Sequence, residues 1–221
     1  MIRNLKRTTL RDQCLDGLRA AITSGQLHSG QHLVETELSE AFGVSRGTLR
    51  EAMRRLEQEG LLVAGPRGQL SVRAIDKAEL GHIYEVRTAL EVLAAQRLRA
   101  QPDHAQRLAH LREALARLQR VEGDLGEQIE ADLDFHRTLC EQSGNPALLT
   151  TWLSLEGAIR ISVMQAGLDR ALRNMSADRH HLIVDTLERG DPGEIEDELQ
   201  RHMREAVARL VSAYETSDAD S

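Results

Sequence analysis

Four side chains in the second half of the chain have the types and spacings of a metal site. Asp132 and His136 lie four residues apart, on one inward stripe of a predicted helix. His180 and His202 each lie on the inward stripe of a later predicted helix. A buried carboxylate needs a partner, because leaving it alone in a core costs several kcal/mol. Three imidazoles and one carboxylate suit a divalent transition metal such as Zn, Ni, Mn or Fe.

A simpler interpretation of the same side chains stays open. One buried histidine is more often hydrogen-bonded than metal-bound, and Asp132 with His136 could be only an ion pair within one helix. The helices would then serve dimerisation alone. His181 falls with Asp185 and Glu188 on a solvated face, so the periodicity favours His180 as the inward residue of this pair.

Two arginines are candidates for binding an organic acid. Arg87 lies on an inward stripe of the segment YEVRTALEVLAA, and its planar fork matches a carboxylate. The sequence leaves two partners open for it, an organic-acid ligand and Glu91, which lies four residues further along. Arg160 is a second candidate, although Glu156 could pair with it at the surface.

These side chains need a helical scaffold, and the sequence pattern after Asp76 predicts one. Apolar residues recur with helical periodicity and the breaks contain Gly or Pro. Six helices are predicted, over residues 77–100, 104–122, 125–143, 146–166, 169–189 and 193–215. Six amphipathic helices with short connections predict an antiparallel all-α bundle, and bundle cores are known hosts for metal sites.

The N-terminal part of the chain predicts a different unit. Three helices are predicted, the first between a cap at Thr8 or Thr9 and a stop at Gly25. A short helix over residues 36–42, a turn with glycine and a third helix capped by Ser45 form a helix-turn-helix pattern. A two-stranded hairpin over residues 61–72 follows and carries Arg67 in its turn. This winged helix-turn-helix would present the first turn of its third helix to the major groove of DNA.

The charge distribution agrees with two units. The chain has a net charge of −7, but residues 1–75 contain 11 basic and 8 acidic side chains, a net charge of +3. The remainder has a net charge of −10. A locally basic face can attract phosphate although the whole chain is acidic. We therefore predict a DNA-binding domain over residues 1–75 and an effector-binding and dimerisation domain over residues 76–221.

The composition argues against several other classes of protein. No uninterrupted apolar run approaches the ~18–20 residues of a membrane span, and the segment MIRNLKRTTLRD lacks the apolar core of a signal peptide. Cys14 and Cys140 cannot make a disulfide framework. Aromatic residues make up only 2%, which argues against base stacking on single-stranded nucleic acid. We expect a cytoplasmic protein with no membrane partner.

The stretch VETELSEAFGVSRGTLREAMRRLEQEGLL resembles the DNA-binding domain of the GntR family of bacterial transcription regulators, over about residues 8–73. The resemblance implies that Arg46 and Arg50 make the principal DNA contacts. It implies supporting contacts from four further residues: Thr36, Ser45, Thr48 and Arg67. Gly47 belongs to the same contact region, but the family often has Thr there, and glycine removes a possible hydroxyl contact. The operator sequence therefore cannot be transferred from a relative.

Three further segments, DLDFHRTLCEQSGNPAL, HHLIVDTLERGD and LQRHMREA, resemble the FCD ligand-binding domain of the FadR subfamily of these regulators. This resemblance covers about residues 78–212 and implies an all-α bundle that commonly holds a metal through one Asp and three His. The matching residues here are Asp132, His136, His180 and His202. The resemblance also implies that an arginine in the helix containing Arg87 helps to bind an organic-acid effector.

Together these observations predict a mostly α-helical, metabolite-responsive repressor rather than an enzyme. One recognition helix reads only a few base pairs, so a homodimer on a palindromic operator is expected. Two alternatives stay open. One is a regulator that senses the metal directly. The other is a metal-dependent enzyme, in which open coordination positions activate water; that alternative leaves the DNA-binding half unexplained.

Overall fold

The computed structural model describes residues 9–121 and 125–217. The chain divides into two compact units, Met1–Ala74 and Ile75–Ser221. This division lies one residue before the predicted domain boundary. The last residue of the helix predicted over 104–122 falls outside the described residues.

The first unit contains three helices and a two-stranded antiparallel hairpin. Its elements are α1 (Leu10–Thr23), α2 (Glu35–Ala41), α3 (Arg46–Gln58), β1 (Leu62–Ala64) and β2 (Leu70–Val72). In the hairpin, Val63 pairs with Ser71. Helix α3 begins after Ser45 because the Ser45 hydroxyl oxygen accepts the backbone N–H of Thr48 at 3.1 Å. The predicted winged helix-turn-helix is confirmed.

The core of this unit decides which face of α3 remains outside. Helix α3 packs against α1 and α2. Its predicted inward residues Leu49, Met53 and Leu56 are fully buried. The N-terminal turn of α3 and its outer face therefore remain open to solvent, where Arg46 and Arg50 are exposed.

The second unit is an all-α bundle with no strand among its described residues. Its helices are α4 (Lys77–Arg99), α5 (His104–Arg120), α6 (Leu125–Gln142), α7 (Pro146–Gln165), α8 (Leu168–Asn174), α9 (Ala177–Arg189) and α10 (Pro192–Ser217). The predicted fold class is confirmed, but the prediction of one helix over 169–189 was wrong. The chain forms α8 and α9 there, because Ser176 takes the extended conformation of a helix N-cap.

Helix α6 lies at the centre of the bundle and contacts α4, α5 and α7. Eight of the ten residues from 131 to 140 are buried. Helix α10 packs along α4 and also contacts α9. These contacts bring α4, α6, α9 and α10 together around one interior region.

Helix α7 is the one described helix that is long and apolar enough to cross a membrane by length and composition. Half of its apolar window is buried inside the bundle, as in the core helix of a globular domain.

Candidate functional site

The bundle brings the four predicted metal ligands together. Helix α6 supplies Asp132 and His136, α9 supplies His180 and α10 supplies His202, and each of these residues is at most 5% exposed. The Nε2 atom of His180 lies 3.1 Å from Asp132 Oδ1 and 3.1 Å from His136 Nε2. The centroids of the three imidazole rings are 4.9–5.3 Å apart. One potential ligand nitrogen from each histidine lies within 4.8 Å of the others.

Hydrogen bonds behind two of the rings fix their orientation. His136 Nδ1–H donates to Glu91 Oε2 at 2.6 Å, and His180 Nδ1–H donates to the Ser176 carbonyl oxygen at 2.9 Å. A neutral imidazole with its proton on Nδ1 has a lone pair on Nε2. The Nε2 atoms of these two rings face each other, and that of His180 also faces Asp132. A lone pair on His180 Nε2 would repel the two electron-rich atoms that lie 3.1 Å from it, unless a cation or an additional proton lay between them. The donor set and its orientation therefore fit a metal ion.

The protonation states of these side chains also fit a metal. Burial lowers the pKa of His136, and Glu91 only partly offsets this effect. Burial, together with His180 and His136, lowers the pKa of His202 well below its ordinary value. Burial would raise the pKa of Asp132, but its hydrogen-bonding and charged neighbours His180, His136 and Arg87 together outweigh burial and lower that pKa to about 2. At neutral pH the set therefore includes neutral imidazoles and a carboxylate, the forms that bind metals.

Arg87 lies beside this set and keeps one donor unused. It is 2% exposed, and its Nε–H donates to Glu91 Oε1 at 2.7 Å. Its Nη2 is buried and has no hydrogen-bond partner among the described residues. Burial lowers the pKa of Arg87, but the charges of Glu91 and Asp132 help to outweigh burial and raise it. Arg87 thus makes the ion pair with Glu91 that the sequence left open, while its Nη2 group has no hydrogen-bond acceptor among the described residues.

Glu91 and Trp152 belong to the site, although sequence reasoning missed these roles. The indole N–H of Trp152 donates to Glu91 Oε1 at 2.9 Å. The inward stripe of α4 identified Glu91 only as a possible partner of Arg87. No local pattern could have connected Glu91 to His136 and Trp152, which lie 45 and 61 residues away along the chain.

Arg160 and His181 have other surroundings. The guanidinium of Arg160 is buried between two carboxylates, with Nη2 at 3.2 Å from both Glu130 Oε2 and Glu156 Oε1. These ion pairs favour a structural role for Arg160, and its part in effector binding stays a prediction. His181 is exposed and its ring contacts Gln119, which agrees with the face that the periodicity gave it.

The winged helix-turn-helix exposes nearly all of the residues expected to contact DNA. The exposed residues are Thr36, Ser45, Arg46, Gly47, Arg50 and Arg67. Thr48 is half-buried, and its hydroxyl lies 3.0 Å from the Ser45 hydroxyl. Arg67 lies in the turn of the wing, next to Gly68, whose φ of +76° is one that glycine adopts at little cost.

Arg50 makes a contact that sequence reasoning did not anticipate. Its Nε and Nη2 donate to the two carboxylate oxygens of Glu35 at 3.1 and 2.7 Å. The Arg50 side chain is 55% exposed, so this ion pair contributes little to stability. Breaking this ion pair to free the Arg50 guanidinium therefore costs little.

Comparisons with known families cover both units. The family described as bacterial regulatory proteins, gntR family, matches residues 10–72, and the FCD domain family matches residues 82–205. The chain is 32% identical to the "Probable D-xylose utilization operon transcriptional repressor" of Paenarthrobacter nicotinovorans, over 99% of this chain and 93% of the relative. It is 30% identical to the "HTH-type transcriptional repressor NanR" of an Enterobacter species, over 93% of this chain and 87% of the relative.

Solved structures have the same architecture. E. coli McbR/YncC is 26% identical, covers 94% of this chain and 100% of its own, and superposes with a TM-score of 0.68. A putative GntR transcriptional regulator from Rhodococcus sp. RHA1 gives a TM-score of 0.72 over 92% of this chain and 98% of its own. Its sequence identity is 22%, so this second likeness shows the fold alone.

The family assignment argues against a metal-dependent enzyme, because the matched family and the relatives are transcription regulators. The FCD domain agrees with the FadR type of regulator. The chain therefore belongs to the GntR family of bacterial regulatory proteins, as a DNA-binding transcription regulator with an N-terminal winged helix-turn-helix and a C-terminal FCD domain.

Proposed function

We propose that this regulator is a metabolite-responsive repressor whose FCD domain binds a divalent metal ion and a small carboxylate effector. Asp132, His136, His180 and His202 would hold the metal. The observation that carries this proposal is the close approach of three electron-rich atoms, the Nε2 atoms of His136 and His180 and the Asp132 carboxylate oxygen. A shared cation gives this arrangement a favourable energy.

The ligand chemistry limits the metal to a small group. Imidazole nitrogen with one carboxylate oxygen suits Zn, Ni, Mn or Fe, and the sequence does not choose among them. When bound, the metal supplies a Lewis acid that fixes a carboxylate oxygen of the effector. The protein keeps the ligand rings oriented through Glu91 and Ser176 and excludes water by burying the site.

Arg87 is the proposed second anchor of the effector. The FCD side of the chain has a net charge of −10 over residues 76–221 and repels anions, so attraction must come from a local cation. Arg87 offers a buried N–H group without a hydrogen-bond partner among the described residues. Arg160 is a weaker candidate for effector binding, because it would have to release Glu130 or Glu156 to bind an effector.

The proposed DNA contacts follow from the exposed end of α3. Arg46 and Arg50 would contact base edges in the major groove, and Arg67 would contact phosphate from the wing. The residues proposed to support them are Thr36, Ser45, Gly47 and Thr48. The bidentate contact of Arg50 with Glu35 supports this role, because the same fork matches two acceptors on a guanine.

A homodimer on a palindromic operator completes the proposal. A single recognition helix reads too few base pairs for a specific site, and a two-fold dimer doubles the number. Exposed apolar side chains on the neighbouring helices α4 and α7 support contact with a second copy of the chain. They are Val86, Leu93 and Leu153, between 43% and 46% exposed. Replacing Leu93 with Arg should shift the sedimentation coefficient toward that of a monomer.

The regulatory direction and the location are proposed from similarity. The relatives from Paenarthrobacter nicotinovorans and Enterobacter are named as repressors, which supports repression here. Binding to chromosomal DNA would place the protein in the cytoplasm. The effector would shift the equilibrium between two arrangements of the dimer and thereby change the separation of the recognition helices.

Metal analysis separates the remaining alternatives. In a pure dimerisation module, an additional proton on His180 would replace the metal and bond to Asp132, so the purified protein would hold no stoichiometric ion. In a direct metal sensor, the metal alone would change operator affinity. In the proposed repressor, about one ion binds per chain, and an organic acid changes the operator affinity of the metal-loaded protein. A panel of C2–C6 carboxylic acids serves as the probe for that last step.

A further inference from the structure

Glu91 connects several parts of the proposed site through one buried carboxylate. It is 0% exposed, and three side chains from three different helices donate hydrogen bonds to it. Its Oε2 atom accepts from His136 Nδ1–H at 2.6 Å. Its Oε1 atom accepts from Arg87 Nε–H at 2.7 Å and from Trp152 Nε1–H at 2.9 Å.

We propose that Glu91 is a positioning residue for the metal, acting through His136. It holds the proton of His136 on Nδ1, so that Nε2 carries its lone pair toward His180. This inference rests on the metal site of the proposed function and adds a residue that does not itself touch the metal. Carboxylates behind ligand histidines generally orient the ring and strengthen it as a ligand.

The buried donors around Glu91 hold its carboxylate in one orientation. Two N–H donors hold Oε1, and an indole N–H and an arginine N–H can only donate. The carboxylate therefore cannot rotate to present another oxygen without leaving these donors unpaired in the core. Burial excludes water as a substitute, so His136 has one stable tautomer in this environment.

This bonding pattern makes glutamine an unsuitable replacement for Glu91 in spite of its equal size. If the amide oxygen of the glutamine kept the contacts with Arg87 and Trp152, the NH₂ group would face His136 Nδ1. That group can only donate, so His136 would have to carry its proton on Nε2, where it could not bind a metal. If the amide turned over, its NH₂ group would face two donors instead.

Zinc affinity of the full-length protein tests the proposal, measured by chelator competition on wild type, Glu91→Gln and Glu156→Gln. The last variant is a matched control, because Glu156 pairs with Arg137 and Arg160 in the same bundle. We expect Glu91→Gln to bind Zn²⁺ about 10–100-fold more weakly, while Glu156→Gln binds like wild type. The absorption spectrum of the Co²⁺-loaded protein should change only in the Glu91 variant.

Equal zinc affinity and an unchanged Co²⁺ spectrum in Glu91→Gln and wild type would overturn the role of Glu91 alone. A wild-type protein that does not bind Zn²⁺ would overturn the proposed metal site as well. Should Glu91→Gln fail to fold, nitrogen NMR of wild-type zinc protein decides. A proton on Nδ1 of His136 with Nε2 bound to zinc supports the proposal, and a proton on Nε2 overturns it.

Discussion

The adjacent residues His180 and His181 offer the sharpest test of the metal ligands. His180 is fully buried, and its Nε2 lies 3.1 Å from both Asp132 Oδ1 and His136 Nε2. His181 is exposed and contacts Gln119 on a neighbouring helix. Replacing each with Gln removes one imidazole at nearly the same place in the sequence, so the two variants control for each other.

The expected magnitude follows from the number of ligands. Zinc binding by four protein ligands has an apparent free energy of about 10–16 kcal/mol, or about 2.5–4 kcal/mol for each ligand. Losing one ligand should therefore weaken zinc binding by about 10²- to 10³-fold, at 1.4 kcal/mol for each factor of ten. His180→Gln should show this loss, and His181→Gln should bind zinc like wild type.

Zinc affinity by chelator competition and metal content by elemental analysis would measure both variants. Circular dichroism of the metal-free proteins checks that both retain their helices. The reasoning would be refuted if His181→Gln lost zinc while His180→Gln kept it, because the inward face of α9 would then be misassigned. Full zinc affinity in both variants would refute the ligand set itself.

Three further predictions concern DNA, pH and the effector. In fluorescence anisotropy, Arg46→Ala or Arg50→Ala should weaken operator binding by about 1–3 kcal/mol. Arg67→Ala should weaken binding to all DNA sequences evenly, and it should reduce by about 1 the slope of the logarithm of the binding constant against the logarithm of the salt concentration. The pKa of His202 in the folded protein lies well below 6.5, so only the unfolded chain takes up this proton as the pH falls through about 6.5. Urea melts of the metal-free protein should therefore show a loss of stability over this range. Equal stability at pH 7.5 and 5.5 would contradict this prediction. Arg87→Ala should cost about 1.5–3 kcal/mol of organic-acid binding by calorimetry, and Arg87→Lys should recover only part, because an ammonium lacks the fork.

Periodicity predicted the fold well where the inward stripe of a helix is wide. The stripe of Leu49, Met53 and Leu56 identified the inner face of α3, and the residue before it, Ser45, identified the start of the helix. Periodicity failed between α8 and α9, where the buried residues Ala171 and Met175 before the break and Ile183 and Val184 after it do not share one helical stripe. Ser176 precedes α9 in an extended conformation, but its side chain makes no capping hydrogen bond, so this break lacks the cap that marks the start of α3.

Burial of the candidate ligands was predictable for a similar reason. Asp132 and His136 lie on the same stripe as apolar residues, and a wrong face would have placed both in solvent. The supporting contacts were not predictable, because Glu91 meets His136 and Trp152 through long-range packing. The ion pair between Glu35 and Arg50 was not predictable either, because it joins two helices across the turn.

The most direct test of the account is calorimetry of organic-acid binding to zinc-loaded protein, with and without its operator DNA. Coupling between the two sites requires that DNA change the affinity for the organic acid, by the same factor by which the acid changes the affinity for DNA. We predict a factor of about 5–150, which corresponds to roughly 1–3 kcal/mol. The same affinity for the organic acid in free and DNA-bound protein would contradict the account.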